Sequence, residues 1–464
     1  MHFHMNARED IYLRLPIRLQ NIACSFEGLR IQRMRYGGEF WRLLQVAEDR
    51  TFFSSEKIKE FRDKRLSSFV NHCYFTVPFY KKLFHDIGLK PEYIQGLEDL
   101  HKLPILTKKI VQDNVKDLVS SAIPKSERIT AHTSGTTGGG LRFATTQRSL
   151  QEQWSIWWRY RRWHGIQFGT WCGYFGGRSV VPITQNSPPF WRYNLPGKQI
   201  LFSGYHMSPE NLPYYISELR RKKPLWLHGY PSLLALLASY ILENEPELGY
   251  RARWITIGAE NLLPQQSDLI EHAFGVRPHQ HYGMAEAVAN FSECNHGNLH
   301  IDEDFAAVEF VPNSSGGYKI VGTNFSNLAM PLLRYDVGDT VTLQNGTCPC
   351  GRPGRIVSSI DGRAEDYVIL RNGAKVGRMD HIFKDMVNIR EAQIVQKYPG
   401  EMTINIVPGH KYSDSDNVKL LEETIKRVGK DMTVKIEYVE KITRSKTGKL
   451  RFVVSEVADG KLQK

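Results

Sequence analysis

The chain has 464 residues, of which 41% are hydrophobic and 24% charged, and these values are typical of a soluble globular protein with more than one domain. Its N-terminal segment lacks the apolar region of a signal peptide, and its best apolar run, Leu233 to Leu242, is too short to cross a bilayer, so we expect a cytoplasmic protein without a transmembrane segment. The formal charge of +12 is compatible with a solvated basic surface, an anionic small substrate, an acidic polymer or an anionic membrane face. The sequence has no nucleic-acid-binding motif, which argues against a nucleic-acid partner.

Residues 1 to about 125 are predicted to be largely helical, because stretches such as Ser55–Cys73 carry apolar residues at helical spacing. From about 129 to 330, short apolar or β-branched runs alternate with helical patterns, which predicts α/β layers. The predicted strands of this region are Trp171–Phe175, Leu225–His228, Trp254–Ile257 and Val308–Val311. The predicted helices are Pro231–Leu242 and Gln265–Ala273.

Near Gly362-Arg363 the pattern changes to a compact α+β arrangement. Residues 1–361 are therefore predicted to form a large multi-layer α/β domain, with a helical lead-in over 1–125. Residues 362–464 are predicted to form a small α+β domain. Its predicted elements are strands Tyr367–Leu370, Ile394–Lys397 and Met402–Val407, helix Val418–Val428 and strand Thr433–Val439.

The segment Thr133–Gly140, T-S-G-T-T-G-G-G, combines hydroxyl side chains with glycines and has no aliphatic residue. Clusters of this composition are usually flexible linkers. They also suit a phosphate-binding loop, because glycine permits sharp turns that present backbone N–H groups and hydroxyls to an anion. The lysine of a Walker loop is missing. This segment alone leaves both interpretations open.

Four further motifs follow the loop along the chain. They are I-T-I-G-A-E-N around Glu260, Y-G-M-A-E at Tyr282–Glu286, R-Y-D-V-G-D at Arg334–Asp339 and T-R-S-K-T-G-K at Thr443–Lys449. Taken singly, each is explained by a turn, a solvated loop or a basic tail. In this order and at these separations, the chain resembles the adenylate-forming (acyl-activating) superfamily from about residue 60 to 460. The resemblance implies an adenylation domain followed by a small, mobile C-terminal domain.

In that superfamily a carboxylate attacks the α-phosphorus of ATP to give an acyl-adenylate and pyrophosphate, and placed donors and cations stabilise the phosphate charge. The resemblance implies that Tyr282 lies over the adenine and that Asp339 accepts hydrogen bonds from the ribose hydroxyls. The full set of implied ATP-binding residues is Thr133, Ser134, Gly135, Thr136, Thr137, Gly138, Glu260, Tyr282, Gly283, Asp339 and Arg363.

The implied catalytic residues are Thr137, Glu286 and Lys449. Glu286 is expected to ligate Mg²⁺, since this hard cation prefers carboxylate oxygen. Lys449 is expected to reach the carboxylate and the α-phosphate. Because Lys449 belongs to the small domain, that domain is expected to close for adenylation and then to turn away, with Glu365 or Asp366 as the hinge. For these two residues a solvated turn is the alternative interpretation.

The loop departs from the G-x-P-K pattern of many superfamily members, because Gly138 is followed by Gly139, Gly140, Leu141 and Arg142. The phenylacetate–CoA ligase branch also lacks a lysine at that last position. G-A-E at Gly258–Glu260 and L-H-I-D-E-D at Leu299–Asp304 are similar to the same branch. Segments that resemble its capsular-polysaccharide-biosynthesis relatives are Leu15–Asn21, Val77–Tyr80 and Leu103–Lys108.

The cysteines predict a second site. Cys24, Cys73 and Cys172 are isolated, and isolated thiols are mostly small buried hydrophobes. In contrast, C-P-C-G-R presents two sulfurs in a tight turn, which in a cytosolic protein indicates metal before disulfide. We expect a closed structural zinc site, with His296 as an alternative to His300 and free thiols as the competing interpretation. The predicted ligands are Cys294, His300, Cys348 and Cys350.

The resemblance implies an ATP-dependent ligase that adenylates a carboxylic acid and passes the acyl group to a thiol or an amine, in a capsule or surface-polysaccharide pathway. The expected cofactors are ATP, Mg²⁺ and structural Zn²⁺, with coenzyme A or a sugar-borne amine as acceptor. Two alternatives are an acyl-CoA synthetase of aromatic acid metabolism and a non-catalytic nucleotide-binding scaffold. A zinc-stabilised nucleic-acid binder has only the charge and the cysteines in its favour.

Overall fold

The computed structural model describes residues 7–132, 141–176, 180–182, 184–244, 248–313, 317–363, 367–371, 375–377, 379–383, 388–444 and 450–457. Three predicted features lie outside these ranges: the loop Thr133–Gly140, the hinge pair Glu365 and Asp366, and Lys449. No helix in the described part of the chain combines the length and the apolar character needed to cross a bilayer.

The chain forms two compact units. Unit 1 comprises Met1–Gln32, Ile166–His279 and Glu365–Lys464, and unit 2 comprises Arg33–Gly165 and Gln280–Ala364. The chain therefore passes from unit 2 back to unit 1 between Ala364 and Glu365. The boundary at 361/362 stays a prediction.

Some of the α-helices begin or end at residues with recognisable capping chemistry. The hydroxyl of Ser54 accepts a hydrogen bond from the Lys57 N–H at 3.2 Å, and Gly275 ends its helix with a left-handed backbone. The helices are α1 Ala7–Arg14, α2 Ile17–Tyr36, α3 Phe40–Asp49, α4 Ser55–Thr76, α5 Pro78–Asp86, α6 Lys108–Asp113, α7 Gln147–Trp163, α8 Leu212–Lys222, α9 Pro231–Asn244, α10 Pro264–Phe274 and α11 Asp414–Val428.

Many of the strands, especially the parallel ones, follow apolar, aromatic or β-branched runs of the sequence. They are β1 Arg128–His132, β2 Arg142–Thr146, β3 Cys172–Gly176, β4 Trp191–Asn194, β5 Gln199–Ser203, β6 Trp226–Gly229, β7 Trp254–Ile257, β8 Pro278–Gly283, β9 Asn290–Glu293, β10 Leu299–Ile301, β11 Ala306–Pro312, β12 Tyr318–Asn324, β13 Tyr335–Gln344, β14 Ile356–Arg363, β15 Tyr367–Ile369, β16 Lys375–Gly377, β17 Ile389–Gln396, β18 Glu401–Pro408, β19 Thr433–Tyr438 and β20 Val453–Ser455.

Unit 1 contains a mainly parallel arrangement of strands in the order β7-β6-β3-β5-β4, in which only the β4–β5 pairing is antiparallel. Helices α8, α9 and α10 alternate with the strands, and their apolar side chains share one buried core with residues such as Leu227 and Ile255. Because the carboxyl ends of β3, β6 and β7 lie at one edge, that edge is a typical position for ligand binding in α/β proteins.

The last part of unit 1 has its own small sheet. Its order is β19-β18-β17-β20, and only β17 and β18 pair antiparallel. Leu420 of α11 belongs to the same buried core as Ile394, Ile404 and Ile406 of the strands. β15 and β16 form a separate antiparallel hairpin.

Unit 2 contains antiparallel strands in the order β11-β12-β13-β14-β10-β9-β8, together with the β1–β2 hairpin. Side chains of α4 and α7, such as Phe69, Val70 and Ile156, share one buried core with strand residues such as Phe291 and Ile320. The predicted α/β class, with helices against extensive sheets, is confirmed by both units and by the α+β tail.

Candidate functional site

Glu260 lies just beyond β7, at the carboxyl edge of the parallel strands of unit 1. The chain turns there through a left-handed backbone at Ala259, with φ of 69°. Glu260 Oε2 accepts a hydrogen bond from the Ser232 N–H, at the start of α9, at 3.3 Å. Its Oε1 accepts one from the Leu450 N–H at 2.8 Å. Glu260 thus connects the start of α9 with the residue that follows Lys449 in the sequence.

Arg444 makes a second connection within unit 1. Its guanidinium donates to the Ser232 hydroxyl at 2.6 Å and forms an ion pair with the buried Glu391. Burial raises the pKa of Glu391, and the positive charge of Arg444 opposes that rise. Both described residues that flank 445–449, Arg444 and Leu450, are therefore anchored around the start of α9 and Glu260.

Tyr282 and Asp339 are brought into direct contact in unit 2. Tyr282 is at the end of β8, and its ring stacks on Phe291 of β9 with a centroid distance of 4.8 Å. Its hydroxyl donates to Asp339 Oδ2 at 2.7 Å. Asp339 is half-buried on β13 and faces Arg363 of β14 in the strand register. The structure therefore places three of the predicted nucleotide-binding positions side by side.

Gly283 gives this site its close packing. A Cβ atom at Gly283 would lie 2.8 Å from Asn290 Oδ1 and 3.3 Å from Trp157 Nε1. A side chain at this position would push against Asn290 of β9 and Trp157 of α7. Glycine is thus required by the packing beside the tyrosine.

Glu286 lies half-buried in the loop after β8. The backbone of this loop is fixed from two sides: Gln153 of α7 donates to the Met284 carbonyl at 2.8 Å, and Asn324 of β12 donates to the Glu286 carbonyl at 3.0 Å. Ala287 has a left-handed backbone with φ of 57°. The backbone position of Glu286 is therefore set by hydrogen bonds from α7 and β12 to its loop.

The predicted phosphate loop connects two paired strands. β1 ends at His132 and β2 begins at Arg142, and the two strands pair antiparallel over five positions from Arg128↔Thr146 to His132↔Arg142. Leu141, at the end of the loop, is fully buried. The loop residues themselves lie outside the described ranges.

Cys294, His300, Cys348 and Cys350 form one cluster in unit 2, and their potential ligand atoms all lie within 4.8 Å of one another. Cys294 Sγ is 3.6 Å from Cys348 Sγ, and Cys350 Sγ is 3.3 Å from His300 Nε2. Thiolates and imidazole are the ligands that zinc prefers, and four of them suffice for a closed tetrahedral site. The alternative ligand His296 is exposed and is not part of this cluster.

The surroundings of the cluster suit metal ligation. The Asn298 amide donates to Cys348 Sγ at 3.1 Å, and the other ring nitrogen of His300, Nδ1, lies 3.2 Å from the Pro353 carbonyl. Such contacts orient ligands. Burial lowers the pKa of His300, which favours the neutral imidazole that ligates metal. Burial also raises the pKa of the Cys294 thiol to about 11, so metal binding would have to displace its proton.

A buried charge network in unit 2 was not predicted from the sequence. Its centre is Asp302-Glu303-Asp304, directly after β10, and all three carboxylates are at most 4% exposed. Arg159 of α7 contacts Asp302 at 2.6 Å and Asp304 at 2.7 Å. Further ion pairs of the network are Arg50–Asp304, Arg62–Glu303 and Arg355–Glu303. The I-D-E-D segment therefore ties α4 and α7 to the sheet of unit 2.

Comparison with known proteins identifies relatives that match this architecture. The chain is 28% identical to protein CapK of Staphylococcus aureus over 455 residues, which cover 96% of this chain and 99% of CapK. It is 26% identical to the phenylacetate-coenzyme A ligase of Thermus thermophilus over 343 residues, covering 68% of this chain and 72% of that enzyme. The corresponding ligase of Escherichia coli is 25% identical over 346 residues, covering 68% of this chain and 74% of the enzyme. Residues 368–456 match the model of the CapK C-terminal domain.

Among solved structures, 2-hydroxyisobutyryl-CoA ligase in the postadenylation state, in complex with 2-HIB-AMP, superposes with a TM-score of 0.68. The match covers 88% of this chain and 91% of that enzyme at 19% identity, which establishes the fold. The resemblance inferred from the motifs is thus confirmed. The chain is similar to CapK and to the phenylacetate-coenzyme A ligases, and it has the fold of 2-hydroxyisobutyryl-CoA ligase.

Proposed function

We propose that the protein is an ATP-dependent, AMP-forming acid ligase. It adenylates a carboxylic acid with release of pyrophosphate and then passes the acyl group to a thiol or an amine. The observation that carries this proposal is the hydrogen bond between Tyr282 and Asp339, which brings two of the five motifs together at the predicted nucleotide site.

The nucleotide roles follow from the chemistry of these side chains. Asp339 Oδ2 is engaged by Tyr282, and a carboxylate has further lone pairs that can accept from ribose hydroxyls. The ring of Tyr282, supported from behind by Phe291, offers a flat apolar surface on which adenine can stack. Arg363 lies opposite Asp339 in the register and supplies a cation for the phosphates.

The reacting groups are assigned to the remaining motifs. The loop that contains Thr137 holds the leaving phosphates through backbone N–H groups and hydroxyls. Glu286 supplies carboxylate oxygen for Mg²⁺, which neutralises charge on the phosphates when bound. Lys449 stabilises the negative charge where the carboxylate meets the α-phosphate. Glu365 or Asp366 serves as the hinge about which the small domain turns, so that Lys449 reaches the reacting groups for adenylation and leaves them afterwards.

The similarities to known proteins favour certain classes of acid substrate and of acyl acceptor. Similarity to CapK along almost the whole chain favours a carboxylate in a capsule or surface-polysaccharide pathway. Similarity to the phenylacetate-coenzyme A ligases over 68% of the chain favours coenzyme A as acceptor and an aromatic acid as substrate. The net charge of +12 suits the phosphates of coenzyme A as well as an acidic sugar. A non-catalytic scaffold is the less favoured alternative, because Glu286, Asp339 and Lys449 are all retained.

Replacing Asp339 with alanine should weaken ATP binding by about 10- to 100-fold, because a hydrogen-bonded carboxylate is lost. Tyr282→Phe keeps the ring and removes only the hydrogen bond, so its effect should be smaller. Isothermal titration with ATP measures both constants. The control is Asp113→Ala, which removes an exposed carboxylate of α6 in the same unit. Unchanged ATP affinity in Asp339→Ala would place the nucleotide elsewhere.

We further propose that Cys294, His300, Cys348 and Cys350 hold one structural zinc ion. The support is their composition and the spacing of their ligand atoms, all within 4.8 Å. With four protein ligands no position is left open for substrate, so the ion stabilises β10 and the turn that follows β13 and takes no part in the reaction.

Zinc analysis of purified protein should find about one equivalent per chain. Cys348→Ser should lower the zinc content and the melting temperature, whereas Cys24→Ser should change neither zinc content nor response to chelator. Cys24 is the matched control, because it is a half-buried thiol that contacts Tyr12 in unit 1. A wild-type protein that contains well under one equivalent and does not bind added zinc would refute the site.

A further inference from the structure

Helix α2 packs two small or polar residues against the protein and leaves several apolar side chains exposed. Gln20 is only 2% exposed, and Gly28 is buried. In contrast, Leu19, Ile22 and Phe26 are 46%, 51% and 70% exposed. Their spacing of three and four residues puts them on one face of the helix. A helix at the surface of a water-soluble protein normally has the opposite orientation.

Hydrogen bonds to β4 hold the polar side of α2 inward. Asn21 Oδ1 accepts from the Tyr193 N–H at 2.8 Å, and the Ser25 hydroxyl donates to the Tyr193 carbonyl at 3.3 Å. Gln20 Oε1 accepts from the fully buried Arg192 at 2.6 Å. Rotating the helix to bury its apolar face would break these bonds and leave buried polar groups without partners.

The contact at Gly28 fixes the same orientation sterically. A Cβ atom there would lie 1.9 Å from Asn194 Oδ1, so α2 lies directly against the end of β4. A larger residue at this position would displace the Asn194 side chain or the helix. The outward direction of Leu19, Ile22 and Phe26 is therefore built into the packing of unit 1.

Further exposed apolar and basic residues lie on α1, on α2 and beside them. Ile11 on α1 is 63% exposed, and Leu195, whose N–H donates to Ser25 at 3.2 Å, is 59% exposed. Arg14, Arg18 and Arg30 are also exposed. Arg30 pairs with Glu27 at 2.6 Å, and this pair is itself open to solvent. The face thus combines protruding apolar side chains with an excess of positive charge.

We propose that this face binds an anionic lipid surface, with α2 lying on the membrane. Apolar side chains that protrude from a surface helix can insert at the level of the headgroups, while neighbouring basic residues contact anionic lipids. The charge disfavours a second copy of the chain as the occupant, because a symmetric contact would bring the same arginines together. Together with the proposed function, on which this consequence rests, membrane binding means that the protein acts on a carboxylate or an acceptor presented at a membrane surface.

Vesicle flotation tests this proposal with full-length protein. Wild-type protein should bind vesicles of phosphatidylcholine mixed with phosphatidylglycerol and should bind pure phosphatidylcholine much more weakly, because the arginines need anionic lipid. The double variant Ile22→Ser/Phe26→Ser should bind the anionic vesicles about tenfold or more weakly, since two inserted side chains are lost. Arg14→Gln/Arg18→Gln should weaken binding to anionic vesicles alone.

The control is Val418→Ser, which removes a side chain that is 57% exposed on α11 of the same unit. It should bind vesicles as wild type does. All variants alter exposed side chains, so melting temperature and adenylation of a soluble acid should be unchanged, which separates this test from that of the proposed function. Equal binding by Ile22→Ser/Phe26→Ser and wild type would overturn the proposal. So would a concentration-dependent dimer in sedimentation that the same double variant dissociates without any vesicle binding.

Discussion

Replacing Lys449 with alanine should slow acyl-adenylate formation by about 10²- to 10³-fold, because one placed donor to the reacting oxygens is lost. The flanking residues support this assignment: the Leu450 N–H is bonded to Glu260, and Arg444 is bonded to Ser232. ATP–pyrophosphate exchange measures the first half-reaction. Lys441→Ala, which removes an exposed lysine from the same stretch of the chain, is the control and should exchange at the wild-type rate.

The second half-reaction tests whether the small domain turns away after adenylation. If the small domain turns away after adenylation, Lys449→Ala should still transfer the acyl group from a presynthesised adenylate at close to the wild-type rate. Affinity for ATP should also change little, since Asp339 and Tyr282 are intact. If Lys449→Ala lost both half-reactions equally, the small domain would not alternate between two positions.

Replacing Asp304 with alanine should lower the free energy of unfolding of unit 2 by about 3–5 kcal/mol, because Arg159 and Arg50 would be left as buried charges without their shared partner. Arg159 is 3% exposed and Arg50 7% exposed, so both guanidinium groups are largely removed from bulk water. Urea unfolding followed by tryptophan fluorescence measures the change. Asp113→Ala breaks an exposed ion pair with Lys109 and should leave the unfolding curve unchanged.

The pH dependence of this effect has a definite sign. Burial opposes ionisation of Asp304, but Arg159 and Arg50 outweigh it and hold the pKa of Asp304 well below its usual value. A lowered pKa stabilises the folded state above the unfolded pKa of about 3.9, and this contribution is lost as the pH falls further. The stability difference between wild type and Asp304→Asn should therefore be constant near neutral pH and shrink below about pH 4. A difference that grows on acidification would contradict the ion-pair account.

The local pattern of the sequence was enough to predict many elements. Trp254–Ile257 is predicted and observed with the same ends, and the helix predicted over Pro231–Leu242 runs to Asn244. In these segments the local pattern of apolar residues is enough to indicate a strand or a helix. The antiparallel strands of unit 2 were mostly not predicted, because their pairing depends on partners distant in sequence, such as β13 with β12 and β14.

The candidate site likewise has residues that the sequence could group and contacts that it could not predict. Cys294, His300, Cys348 and Cys350 could be grouped from ligand type alone, and the structure places these four together. The partners of Asp302, Glu303 and Asp304 could not be predicted, since Arg50, Arg62 and Arg159 lie more than a hundred residues away in the chain. The outward apolar face of α2 was also not predicted, because hydrophobic spacing does not say which side of a helix meets the protein.

The most direct test of the central claim is a product assay with ATP, Mg²⁺ and a panel of carboxylic acids, including acidic sugars and aromatic acids. Mass spectrometry should detect an acyl-AMP with at least one acid, together with pyrophosphate in equal amount. Both products should depend on Asp339 and Lys449. Formation of ADP and phosphate, or the absence of any acyl-AMP across the panel while ATP still binds, would contradict carboxylate adenylation.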